Sequence, residues 1–157
     1  MKYVVEVGDM KCGGSEDVLV TYALGSCLGL MVYDPAARVG GLLHAMLPLS
    51  RINPEKARAN PFMFVDTGVP ELFKTVYKHG GEKKNLIVKA AGCGNPMGNS
   101  EMFKIGDRNL TVLKKLLWKN NVMLAAADTG GTNARTLQVD LTSGRTVVNS
   151  KGRRWEL

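Results

Sequence analysis

The chain has only two histidines, and its three cysteines, Cys12, Cys27 and Cys93, are odd in number and far apart. Neither a CxxC nor an HxxxH spacing occurs, which argues against a zinc site, and the unpaired cysteines argue against a disulfide framework. Aromatic residues make up 6% of the sequence and offer few platforms for stacking bases, so nucleic acid is a poor candidate ligand. No apolar run approaches the roughly 20 residues of a membrane span, so no membrane insertion is expected. The N-terminal Met1 to Val7 is too short and too acidic for a signal peptide and reads as a strand. A cytoplasmic location with free thiols is the expectation.

What is present fits one domain of 157 residues, long enough to bury a core without staples. Twenty-one Lys and Arg against 14 Asp and Glu leave a net charge of +7. The surplus, as in Lys83-Lys84, Lys114-Lys115-Lys119 and Arg153-Arg154, usually marks a solvated surface, but it also attracts acidic partners.

Strands are predicted at Tyr3 to Val7 and Val18 to Tyr22, with the Gly8 to Gly14 stretch between them as a loop. Two apolar runs, Leu28 to Tyr33 and Val39 to Leu47, flank Asp34-Pro35, a turn opening. From Pro61 to His79, Val65, Val69, Leu72, Phe73 and Val76 recur at helical steps, and Gly80-Gly81 stops the run. A second helix starts near Ile105 and carries Leu110, Leu113, Leu116 and Leu117. Strands are expected at Leu86 to Val88 and Val122 to Ala127, and a hairpin over Leu137 to Val148. This order predicts a single layered domain over 1–157 of α/β (α+β-like) class, with mixed β-sheets and two main helices packed on one side. The basic tail, 151–157, is expected to be loosely held.

The stretch from Thr21 to Pro48 carries the chemistry. With Pro35 and Ala36 at the turn centre, Cys27 stands directly opposite His44, with Cβ atoms about 4.5–5.5 Å apart. An imidazole so placed can hold the thiol proton and leave a thiolate nucleophile. Gly25 and Ser26 allow a sharp backbone path, and the N–H groups at Ser26 and Cys27 could stabilise an oxyanion. Thr21 is the nearest candidate to orient the imidazole, and Ser26 is the alternative. The bland reading is a buried thiol and a satisfied core histidine. His79, beside Gly80 at a helix end, is explained by the helix dipole and capping.

Other motifs say less. Gly92 to Gly98 lacks the Gly-Lys-Ser/Thr of a phosphate loop, and Pro96 removes an N–H, so a tight turn is the better account. Met97, Met102 and Phe103 form either a core tuck or a partner-binding patch.

Leu24-Gly25-Ser26-Cys27 followed by His44-Ala45-Met46-Leu47-Pro48 resembles the signature of the CheD family, the chemoreceptor glutamine deamidases of bacterial chemotaxis. Ile105-Gly106-Asp107-Arg108-Asn109 and Asp128-Thr129-Gly130-Gly131 with Arg135 agree with it, in the family's order. The resemblance implies a layered fold similar to deamidating bacterial toxins. It places the Cys–His pair on Cys27 and His44 and the polar third member on Thr21. It implies an amidohydrolase without metal or organic cofactor, converting glutamines of receptor cytoplasmic helices to glutamate. Receptor methyl esters are a second substrate by the same chemistry. A CheC-type phosphatase is the implied partner, and a non-catalytic module that binds such a partner is the competing reading.

Overall fold

Leu28–Asp34 forms a strand that is buried at every position, because both of its faces are covered. The computed structural model describes residues 1–98 and 103–157. In chain order its elements are β1 (Lys2–Val4), β2 (Asp9–Gly14), β3 (Val18–Leu24), β4 (Leu28–Asp34), β5 (Val39–Ala45), α1 (Pro54–Ala59) and α2 (Val65–Lys78). They continue with β6 (Ile87–Gly92), α3 (Ile105–Lys119), β7 (Ala126–Thr129), β8 (Arg135–Asp140), β9 (Thr146–Ser150) and β10 (Arg153–Glu156).

The strands make two mixed five-stranded sheets, one in the order β1-β3-β8-β9-β10 and the other β2-β5-β4-β6-β7. On β4, alternate residues point to opposite faces. Leu28, Leu30 and Val32 meet the helices, packing with Val69, Leu72 and Val76 of α2 and Leu113 and Leu117 of α3. Met31 and Tyr33 meet the other sheet, packing with Leu19, Leu137 and Val139. The result is sheet on sheet with both main helices on one outer face, the expected layered α+β class. Each large side chain so buried contributes about 1.5–3 kcal/mol.

Several expected elements differ. The Gly8 to Gly14 loop is instead strand β2, paired antiparallel with β5 from Asp9↔His44 to Gly14↔Val39. The tail is held, not loose. β10 pairs with β9, Trp155 Nε1 donates to Asp128 at 2.5 Å, and Lys89 Nζ donates to the Leu157 carbonyl at 2.7 Å. The long helix begins at Val65, after a 3-10 turn at Pro61–Met63, and runs through Gly68 and Pro70. Proline removes one rung, but the buried stripe of α2 on the sheet outweighs that loss. The strand expected over Val122 to Ala127 begins only at Ala126.

The β4–β5 hairpin also has a different register. Its loop is four residues, Pro35 to Arg38, with Asp34↔Val39, Gly29↔His44 and Leu28↔Ala45 as partners. Asp34 Oδ1 accepts the N–H groups of Ala36 and Ala37, and Arg38 takes a left-handed conformation with φ 54°. The side chain of Asp34 thus builds a longer turn than Asp-Pro alone suggests.

Candidate active site

Cys27 is therefore not directly opposite His44, as the two-residue turn implied. It lies just before β4 and one diagonal step away. The error is an even number of residues, so the face is preserved. Cys27 packs with the cluster between the sheets, where His44 also points.

Thr21 enters from the other sheet. It is fully buried on β3, and its Oγ1 lies 2.6 Å from the Val5 carbonyl and 2.7 Å from His44 Nδ1. A carbonyl can only accept, so the single hydroxyl proton goes to Val5. Nδ1 must then carry a proton and donate it to Thr21, which leaves Nε2 as a bare lone pair. His44 is 1% exposed, and Nε2 has no hydrogen-bond partner among the described residues. The thiol of Cys27 does not close on it in this resting arrangement.

The protonation states differ from the expected thiolate. Burial pushes His44 down to about 4. Burial also pushes the Cys27 thiol up. A neutral imidazole and a neutral thiol share this face, because burial disfavours the charged form of each. The chemistry this permits is proton transfer during attack, not a stored ion pair. Cys12 and Cys93 are both pushed to about 12, chiefly by burial, and remain inert thiols near neutral pH.

The loop before Cys27 starts at a bulge. The register of β3 against β8 shifts between Thr21 and Leu24, and Ala23 sits at φ 58°. Beyond it, three successive carbonyls are tied back. Gly25 O accepts from Gly94 N at 2.8 Å, Ser26 O from Asn109 Nδ2 at 2.9 Å, and Cys27 O from Cys93 N at 2.8 Å. The N–H groups of Ser26 and Cys27 have no partner among the described residues. Carbonyls pinned inward with amides left over form the arrangement that an oxyanion would use.

Sequence reasoning gave no role to Asn109 or Arg135. Arg135 Nε reaches Asp128 at 2.9 Å, and its two terminal nitrogens reach the Gly92 and Gly130 carbonyls at 3.2 and 2.6 Å. It braces the turns behind Cys27. The available signal was that Asn109 closes the Ile105 to Asn109 motif and Arg135 accompanies Asp128-Thr129-Gly130-Gly131. Of the suggested partner patch, Phe103 is 68% exposed and Met97 72% exposed, so neither tucks into the core. Met102 lies outside the described residues. Among the described residues, no three His, Cys, Asp or Glu side chains converge as metal ligands. No described helix is long and apolar enough to cross a membrane.

The family model for CheD chemotactic sensory transduction matches residues 46–150. The probable chemoreceptor glutamine deamidase CheD of Solibacter usitatus is 46% identical over 155 residues, covering 98% of this chain and 92% of that protein. A CheD 1 of the same description from Syntrophus aciditrophicus is 43% identical over 150 residues, covering 95% and 94%. One from Pyrococcus horikoshii is 42% identical over 147 residues, covering 90% and 87%. With the family model over most of its length and such relatives end to end, this chain belongs to the CheD family of chemotactic sensory transduction.

Proposed function

We propose that the protein is a chemoreceptor glutamine deamidase in which Cys27 is the nucleophile, His44 the general base and acid, and Thr21 the group that orients His44. The observation that carries this reading is the buried lone pair of His44 Nε2, without a partner among the described residues, on the face shared with Cys27. A buried nitrogen without a partner costs about 1–3 kcal/mol, which a merely structural histidine has no reason to bear. The names of relatives at 43% and 46% identity supply the substrate class.

The steps follow from the groups present. As a glutamine carboxamide enters, Sγ of Cys27 attacks its carbon while the thiol proton passes to His44 Nε2. The carbonyl oxygen becomes an oxyanion facing the N–H groups of Ser26 and Cys27. Thr21 holds the Nδ1 proton, so the imidazolium keeps its orientation. His44 returns the proton to the amide nitrogen, ammonia leaves, and a thioester remains. Water then gives a proton to Nε2 as its oxygen attacks the thioester. Collapse frees glutamate, and the proton restores the thiol. A CheC-type phosphatase would dock where Phe103 and Met97 stand exposed.

The test is mass spectrometry of a receptor cytoplasmic fragment after incubation with the protein. Amide-to-acid mass increases at particular glutamines, absent with Cys27→Ala and with His44→Ala, are the expected result. Folded wild-type protein that leaves every glutamine unchanged would refute the proposal.

A further inference from the structure

The buried stripe of α3 runs Gly106, Asn109, Leu113 and Leu117. Three of these positions suit a helix face laid on a sheet, but an asparagine among them does not. Asn109 is fully buried, and its Oδ1 has no partner among the described residues. Its Nδ2 is used twice, donating to the Ser26 carbonyl at 2.9 Å and to the Met46 carbonyl at 3.1 Å. Turning the amide over would set Oδ1 against both carbonyls, so this orientation is the only sensible one. An aliphatic residue would relieve the orphaned oxygen. The amide is there for its two donors.

The two acceptors are not arbitrary. Ser26 C=O and Cys27 N–H belong to one planar trans peptide and point in opposite directions. Pinning the carbonyl inward therefore turns the Cys27 N–H outward. Met46 follows the end of β5, two residues after His44. One side chain thus joins the nucleophile loop to the strand that carries the base. Its own base is rigid, because the first turn of α3 lies against the Cys93–Gly94 backbone, and any Cβ at Gly106 would run into the Gly94 carbonyl.

We propose that Asn109 is a positioning residue for this site, setting the direction of the Cys27 N–H and the separation of Cys27 from His44. The inference rests on the Cys27–His44 reading above. Two measurements test it. Turnover of a receptor fragment is followed in wild type, His44→Ala, Asn109→Ala and Asn109→Ser. Iodoacetamide labelling of the intact protein, resolved by peptide, gives the rate at Cys27 across pH. Labelling at Cys93, which is 1% exposed, reports whether the fold survives.

In Asn109→Ala, kcat falls roughly 10²-fold with KM little changed, as for loss of an oxyanion donor. Its Cys27 labelling profile moves toward that of His44→Ala. Asn109→Ser, which keeps one donor, falls between Asn109→Ala and wild type. Should Asn109→Ala expose Cys93, Asn109→Ser decides by the same criteria. A variant with Cys93 protected and with wild-type kcat and labelling profile overturns the proposal and leaves the pair standing. Identical profiles for wild type and His44→Ala overturn both.

Discussion

The hydroxyl of Thr21 has one proton, and the Val5 carbonyl takes it. The tautomer of neutral His44 follows from that, since Nδ1 must then be the donor of the 2.7 Å bond. Thr21→Val keeps the shape, removes the acceptor and lets the imidazole turn. We expect kcat to drop by roughly 10²-fold, the scale of a general base, and Thr21→Ser to recover most of it. Equal activity in Thr21→Val would remove Thr21 from the mechanism. His44 itself makes a prediction about pH. Its folded value is about 4 against 6.5 unfolded, so between these values the unfolded chain binds more protons. Stability from the neutral imidazole is complete above pH 6.5 and is lost as pH falls through 6.5 toward 4, on the order of 3 kcal/mol. Urea midpoints of wild type minus those of His44→Leu should decline through that window. A flat difference would show that His44 is not buried in its neutral form.

At the scale of elements, the hairpin and α3 do the placing. Strand side chains repeat every second residue, so the hairpin legible in the sequence already has Cys27 and His44 on one face. The pairing is a diagonal step from the expected one because Asp34 caps a four-residue loop. β2 was missed for a related reason. Its Gly13 and Gly14 carry no side chains to alternate, and only pairing with β5 makes it a strand. Helix α3 is positioned by close backbone contact at Gly106, where a methyl group would meet the Gly94 carbonyl. Gly106→Ala should therefore destabilise the protein by about 1–3 kcal/mol, the usual range for overpacking. It should also lower turnover more than that loss of folded protein explains, because Asn109 moves with the helix. Chemical denaturation and kcat measured on the folded fraction separate the two effects. A fully active, equally stable variant would contradict the contact.

Across the whole molecule, the proposed site lies at the seam between the two sheets, with Cys27 on the loop that leads into β4. Thr21 comes from one sheet, His44 from the other with Cys27 just ahead of its strand β4, and the helices brace the far face. This burial keeps both titrating groups neutral. The tail is tied to the same region, since Trp155 of β10 and Arg135 share Asp128 beside the turns behind Cys27. Much of the positive surplus sits outside that seam, on exposed side chains such as Lys83, Lys84, Lys114, Lys115 and Lys119. If it steers an acidic receptor helix, kcat/KM on a receptor fragment should fall as salt rises past about 0.1 M, where screening reaches about 10 Å. The reaction of Cys27 with a neutral alkylating agent should not change. Salt-independent turnover would leave the surplus as solvation alone.

The sequence by itself determined the residue types at the site, the two main helices through their 3.6-residue period, and the shared face of Cys27 and His44 through the strand period of two. These are local properties, readable within one element or one hairpin. Tertiary structure alone decided the rest. Thr21 is a candidate from its place before the hairpin, but the bond that His44 donates to it crosses from sheet to sheet, and Asn109 reaches back 83 residues to Ser26. The amides at Ser26 and Cys27, unpaired among the described residues, face away because partners distant in sequence hold the neighbouring carbonyls. Such contacts depend on how layers stack, and no short-range pattern encodes stacking.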